Sequence, residues 1–181
     1  KHAAMVGSFL LEQFSGIPTN VFYASEFRYS PPPLLPNTLT IGVTQSGETA
    51  DTIAAIDMEI KRRSSKEDKK FTPNLIAITN RKESSIGRQV SNIIDICAGI
   101  EVGVAATKTF FGQLLSFYGL AIKFAQIKGT QSSDEIDKLI TELIKLPPLI
   151  EDLLEQHNES SEKLAHDFFN IKDVIFLGRG I

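Results

Sequence analysis

Short apolar runs alternate with amphipathic stretches along the first 128 residues of the chain. Continuous apolar runs bounded by polar or glycine-containing segments are typical of strands buried on both faces of a parallel sheet. The pattern predicts an α/β protein, a three-layer sandwich with a mostly parallel sheet. The predicted strands are 19–24, 39–44, 74–79 and 92–97, and the predicted helices are 1–15, 49–63 and 105–127.

The pattern changes after Gly129, where three successive helices are predicted at 134–145, 147–157 and 159–170. Pro147-Pro148 and Asn158 separate them. The apolar run DVIFLG (173–178) then predicts one more strand. We therefore expect three parts: an α/β subdomain in 1–128, a helical connector in 129–171, and the first strand of a second subdomain in 172–181.

Composition excludes several classes of protein. The net charge of −3 gives no support for a nucleic-acid partner. Apolar runs stay shorter than the roughly 18 residues of a membrane span. The histidines are far apart and Cys97 is a single cysteine in an apolar strand, so no metal site is predicted and the thiol is expected to be buried and inert. Helical periodicity starts at Lys1 without a cap, so we expect a piece of a longer protein.

A polar, glycine-containing segment, TQSGET (44–49), follows a predicted strand and precedes a predicted helix. In open α/β sheets, ligands bind there, where a helix N-terminus offers unpaired N–H groups and partial positive charge. Gly47 permits close backbone approach, and Thr44, Ser46 and Thr49 supply hydroxyl donors. The segment predicts a phosphate site, but the same residues also suit a helix cap. A P-loop lysine is absent, so no nucleoside triphosphate is indicated.

Glu101 precedes a glycine turn, and two interpretations of it stay open. The first is a surface or interface position. The second is a buried hydrogen bond from backbone N–H groups to its carboxylate.

Three segments of the chain together resemble one enzyme family. TQSGETADT (44–52) is similar to the signature loop of sugar isomerase (SIS) domains, which bind phosphosugars. ASEFRY (24–29) and GIEVGVAATK (99–108) resemble segments of glutamine–fructose-6-phosphate aminotransferases, also called glucosamine-6-phosphate synthases, in the same order and spacing. FLGRG (176–180) resembles the first strand of that family's second SIS subdomain. The resemblance covers nearly the whole chain.

The resemblance implies a flavodoxin-like sheet and a phosphosugar site. A serine usually stands where this chain has Thr44, which retains the hydroxyl. The backbone at the position that matches Val104 lies near the sugar, with ordinary packing of its side chain as the alternative. The substrate-binding residues that follow from the resemblance are Thr44, Gln45, Ser46, Gly47, Thr49 and Val104.

The resemblance also implies the reaction of the parent protein, which converts fructose 6-phosphate and glutamine into glucosamine 6-phosphate and glutamate, leading to UDP-N-acetylglucosamine. Isomerisation needs a positioned base, and amino transfer needs a lysine that forms an imine. The family's glutamate base, histidine and lysine are expected beyond Ile181, and a Gly-Thr-Ser segment before Lys1. No residue of this chain is therefore predicted to be catalytic, and no cofactor or metal is implied.

The partners implied are fructose 6-phosphate or glucosamine 6-phosphate, a second copy of the chain in a homodimer, and a glutaminase domain in the parent protein. A cytoplasmic location is expected, with no nucleic acid and no membrane. The alternative function is a phosphosugar-sensing SIS module of a regulator, which binds the same ligand without chemistry.

The family's sheet has the order 2-1-3-4-5, and its first strand lies between those that match 19–24 and 39–44. That central strand has no counterpart in this sequence. A gap in a sheet would leave backbone groups unpaired. We therefore expect 173–178 to fill the gap, either within the chain or by exchange with a second chain.

Overall fold

The computed structural model describes residues 1–178. Outside the described residues lie Arg179 and Gly180, which end the FLGRG segment, and Ile181. The chain divides into two compact units, Lys1–Thr130 and Gln131–Ile181. Within the described residues, no helix combines the length and hydropathy needed to cross a bilayer.

The first unit contains a parallel three-stranded sheet. Its strands are β1 (Leu39–Val43), β2 (Asn74–Thr79) and β3 (Asn92–Asp95), in the spatial order β1-β2-β3. Its helices are α1 (His2–Ser15), α2 (Ala24–Tyr29), α3 (Ala50–Ser64) and α4 (Lys108–Lys128), with a short 3-10 helix at Lys69–Phe71.

Helices cover both faces of the sheet because β2 buries side chains on both. Ile78 packs against α1 and α4, in a cluster that includes Leu10 and Phe117. The preceding residue, Ala77, points to the opposite face and packs near Ile56 of α3. The predicted three-layer α/β architecture with a parallel sheet is thus confirmed.

The second unit is helical, with α5 (Ser133–Ile144) and α6 (Leu146–Phe168). Ser132 and Glu135 form a capping box at the start of α5. The predicted break at Asn158 is wrong, because α6 runs through it. An asparagine inside a helix costs at most about 0.7 kcal/mol, which the good helix formers around it offset.

The strand predicted at 19–24 is absent. Residues 16–23 form no regular element, and α2 begins at Ala24. The apolar pattern of TNVFYA suits a strand, but a strand forms only where a neighbour accepts its backbone hydrogen bonds. β1 pairs only with β2 in the described sheet, and 19–24 has no strand beside it.

The strand predicted at 173–178 is also wrong. These residues form no strand, and the side chains of Ile175, Phe176 and Leu177 are at least 83% exposed. The hypothesis that this segment fills the gap within its own chain is therefore overturned. Apolar periodicity identified a segment that favours extended backbone, but it could not supply the partner that a strand requires. Exchange with a second chain stays a prediction.

The contact between α1 and α4 depends on Gly7. A Cβ built at Gly7 would overlap the ring of Phe117, which is buried at the centre of this contact. We expect Gly7→Ala to lower the free energy of unfolding by about 1–3 kcal/mol through overpacking. Alanine alone would favour the helix by about 1 kcal/mol, so the clash is expected to exceed the gain in propensity.

Gly119→Ala is the matched control, because a Cβ at this position in α4 meets no atom within 4 Å. It is expected to stabilise the protein by up to about 1 kcal/mol. Urea denaturation measures both variants. Equal shifts in the same direction would show that Gly7 is not required by close packing.

Candidate functional site

The 44–49 loop leaves the carboxyl end of β1 and enters α3. The N–H of Thr44 donates to the carbonyl of Ile78 (3.1 Å), and the carbonyl of Gln45 accepts from the N–H of Asn80 (3.0 Å). These bonds extend the pairing of β1 with β2 beyond the strands. The loop therefore begins at a fixed place on the edge of the sheet where all three parallel strands end.

The hydroxyl groups of the 44–49 loop bond to one another and to the loop's own backbone. Thr44 Oγ1 lies 2.8 Å from Thr49 Oγ1 and accepts from the N–H of Gly47 (3.3 Å). Ser46 Oγ accepts from the N–H of Glu48 (3.1 Å). Ser46, and one hydroxyl of the threonine pair, still have a proton to donate. The structure thus brings the predicted hydroxyl residues together at the start of one helix.

The alternative of a helix cap is wrong for α3. Thr49 occupies the N-cap position but makes no side-chain capping hydrogen bond. The carboxylate of Glu48 accepts instead from the N–H of Ser85 (2.8 Å), outside the helix. The first-turn N–H groups of α3 are therefore left without a side-chain cap, which is the arrangement that suits an anion.

A turn between β2 and β3 supports the 44–49 loop. Gly47 has φ +70°, and a Cβ there would overlap the side chain of Ser84. The N–H of Ile86 donates to the carbonyl of Gly47 (3.1 Å). Gly47 is therefore required by its backbone conformation and by the closeness of this turn. Sequence reasoning missed the role of Ser84 and Ser85, because neither residue lies in a periodic element or a recognised motif.

Positive charge offsets the acidic residues near the start of α3. Hydrogen bonds from Ser85 lower the pKa of Glu48, and the nearby Arg88 and Arg81 lower it further. Arg28 of α2 forms a 2.6 Å salt bridge with Asp51 in the first turn of α3. The carboxylates beside the helix terminus therefore do not oppose an anion as strongly as their number suggests.

Glu101 fixes the end of the second loop, residues 98–107, which follows β3. Its carboxylate accepts from the N–H of Thr107 (3.2 Å) and from the N–H (3.1 Å) and hydroxyl (2.8 Å) of Thr109. The predicted bond from backbone N–H groups to Glu101 is thus observed, but the prediction that it is buried is wrong, because Glu101 is only half-buried. These bonds lower the pKa of Glu101, and the bonds from Thr109 have the largest effect. The carboxylate satisfies N–H groups at the start of α4.

Val104 lies in this second loop, apart from the other predicted residues. Its side chain is fully exposed, so the alternative of ordinary packing is wrong. Cys97 is exposed rather than buried, because β3 ends at Asp95 and the chain turns at Cys97 with φ +51°. In residues 1–178, no cluster of three or more metal-ligating side chains occurs.

The sequence of the chain is similar to those of known proteins. The model of the SIS domain family matches residues 1–123. The chain is 56% identical over 180 residues to glutamine–fructose-6-phosphate aminotransferase (isomerizing) of Thermosynechococcus vestitus, covering 99% of this chain and 29% of that protein. It is 55% identical to the protein of the same name from Synechocystis, of which it covers 28%. The chain spans less than a third of the length of these curated relatives.

A solved structure is also similar. The C-terminal domain of glucosamine-fructose-6-phosphate aminotransferase from Francisella tularensis matches with a TM-score of 0.88 and 29% sequence identity. The match covers 98% of this chain and 48% of that one.

Gly47→Ala tests the support of the 44–49 loop. The variant suffers both the left-handed backbone strain and the overlap with Ser84, whereas Gly99→Ala, at φ +66° in open space, suffers the strain alone. We expect Gly47→Ala to cost about 1–3 kcal/mol more free energy of unfolding than Gly99→Ala. Urea denaturation measures both variants. Adding Ser84→Gly to Gly47→Ala should recover part of the difference in free energy of unfolding. Equal costs would mean that the turn does not constrain the loop.

The pKa of Glu101 tests the anchoring of the second loop. We expect NMR titration to place it below the ordinary value of 4.5. Because the folded-state pKa is lowered, this anchor contributes stability above the ordinary value and loses it as pH falls through the folded-state pKa. Thr109→Val should raise the pKa of Glu101, and Thr38→Val, whose hydroxyl bonds to Leu35, should not. An unchanged pKa in Thr109→Val would contradict the assignment.

Proposed function

Since the chain belongs to the SIS domain family, we propose that it is the sugar-phosphate-binding part of the isomerase portion of a glutamine–fructose-6-phosphate aminotransferase. The identity of 56% to a protein of that name supports the proposal, as does the TM-score of 0.88 to the C-terminal domain of another. The ligand proposed is fructose 6-phosphate or the product, glucosamine 6-phosphate.

The observation that carries this proposal is the uncapped start of α3, with hydroxyl groups and a close backbone approach on one loop. The phosphate is proposed to bind the first-turn N–H groups of α3 and the hydroxyls of Thr44, Ser46 and Thr49. Gln45 is proposed to belong to the site as part of this loop. The N–H of Asn80 holds Gln45 in position through a hydrogen bond to its carbonyl. The backbone near Val104 is proposed to contact the sugar.

Binding at the phosphate end has a chemical purpose in such an enzyme. The phosphate does not react, so the free energy of its binding can orient the carbon atoms that do. We propose that these residues bind and orient the phosphosugar, and that the reaction is carried out by the parent protein as a whole. The parent's glutaminase domain, homodimeric assembly, cytoplasmic location and place in hexosamine biosynthesis are parts of the same proposal.

The domain organisation is proposed to follow the same family. Residues 1–128 form a first SIS subdomain without its first strand, 129–171 form the connector, and 172–181 begin a second subdomain. The regulator alternative predicts binding without conversion. Assay of the full-length protein with fructose 6-phosphate and glutamine separates the two functions, because only an aminotransferase would form glucosamine 6-phosphate.

Calorimetric titration with fructose 6-phosphate, fructose and inorganic phosphate tests the ligand. We expect the phosphosugar to bind and fructose not to bind. Ser46→Ala should weaken the binding of the phosphosugar by about 1–3 kcal/mol, because a hydrogen bond to a charged group is lost. Ser65→Ala is the matched control, since this hydroxyl bonds to Arg62 at the opposite end of α3. Equal affinity of wild type and Ser46→Ala would exclude Ser46 from the site.

A further inference from the structure

Asn80 lies between the two loops of the candidate site, directly after β2. Its backbone N–H donates to the carbonyl of Gln45 (3.0 Å) in the 44–49 loop. Its side chain reaches the other loop, where Oδ1 accepts from the N–H of Ala98 (2.9 Å) and Nδ2 donates to the carbonyl of Gly99 (2.5 Å). One residue thus bonds to both loops with three separate polar groups.

The side chain of Asn80 has the chemistry that this place requires. A primary amide carries one acceptor and one donor group, so it can satisfy an N–H and a C=O of the chain that follows β3. An aspartate has no N–H to give to Gly99, and an alanine has neither group. β2 is the central strand of the described sheet, so its end is adjacent to the ends of both β1 and β3.

The 98–107 loop is held at both ends and exposed between them. The side chain of Asn80 holds its beginning, and the carboxylate of Glu101 ties the loop to Thr107 and Thr109 at its end. The side chains of Val102 and Val104 are almost fully exposed. With no apolar packing of these side chains, the place of the loop depends on its two polar anchors.

We propose that Asn80 is a positioning residue, whose side-chain amide sets the distance between the phosphate-binding loop and the loop that contacts the sugar. The inference rests on the proposed function of the site. Its consequence is a separation of two affinities. The bond from the Asn80 backbone to Gln45 does not need the side chain, so the phosphate loop should persist when the amide is removed. The additional affinity that comes from contact with the sugar should be lost when the amide is removed.

The test compares inorganic phosphate with fructose 6-phosphate on the intact chain by calorimetry. Asn80→Ala is expected to lower the affinity for fructose 6-phosphate about tenfold, the equivalent of two lost hydrogen bonds. Its affinity for inorganic phosphate is expected to stay within about twofold of wild type. Asn80→Asp is a second variant that keeps the acceptor and loses the donor, and it should show the same loss of selectivity.

Asn74→Ala is the matched control, because Asn74 is an exposed asparagine at the opposite end of the same strand. It should change neither affinity. Hydrogen exchange gives a readout without ligand: the amide of Ala98 should exchange faster in Asn80→Ala, whereas the amide of residue 80, bonded to Gln45, should not.

The outcomes separate the two proposals. If wild type binds fructose 6-phosphate no better than inorganic phosphate, the proposed function of the site is overturned, and the positioning role with it. If wild type distinguishes the two ligands and the Asn80 variants keep the same ratio, only the positioning role is overturned. A parallel fall in both affinities would assign Asn80 to stability alone and would also overturn the inference.

Discussion

The parallel pairing of β1, β2 and β3 is the constraint on which the rest of the first unit depends. It brings the carboxyl ends of all three strands to one edge, and both candidate loops start there. The register is determined by burial: Ile78 faces α1 and α4, and Ala77 faces α3. A slip of one residue would reverse these faces and move the ends of the strands, so the position of the site follows from packing of the core.

The start of α3 lacks the side-chain cap that would stabilise the helix. A side-chain cap would stabilise the helix by about 1 kcal/mol, yet Thr49 bonds to Thr44 instead. A hydrogen bond to a charged ligand contributes about 1.5–3 kcal/mol. An anion that took several such bonds would offset the missing cap, and Ser46, one hydroxyl of the threonine pair and the first-turn N–H groups of α3 have protons to donate to it.

Local charge at the site differs from the charge of the whole chain. The chain is acidic, with a net charge of −3, whereas Arg28, Arg81 and Arg88 surround the acidic residues beside α3. An exposed pair such as Arg28–Asp51 contributes only about 0–1 kcal/mol to stability. Its more important effect is on the potential at the helix terminus, where an unpaired Asp51 would repel a phosphate.

The sequence by itself determined the α/β class, the three strands of the sheet and the segment that forms the candidate site. Runs such as NLIAIT are buried on both faces, and the residues of TQSGET leave few alternatives to a loop at a helix start. It failed where an element needs a partner. TNVFYA (19–24) and DVIFLG (173–178) have the pattern of strands, but in the part of the chain that the structure describes neither has a neighbouring strand with which to pair. Likewise, only the tertiary structure placed Ser84 behind Gly47 and Asn80 between the two loops, because contacts between residues far apart in the chain leave no periodic signal in it.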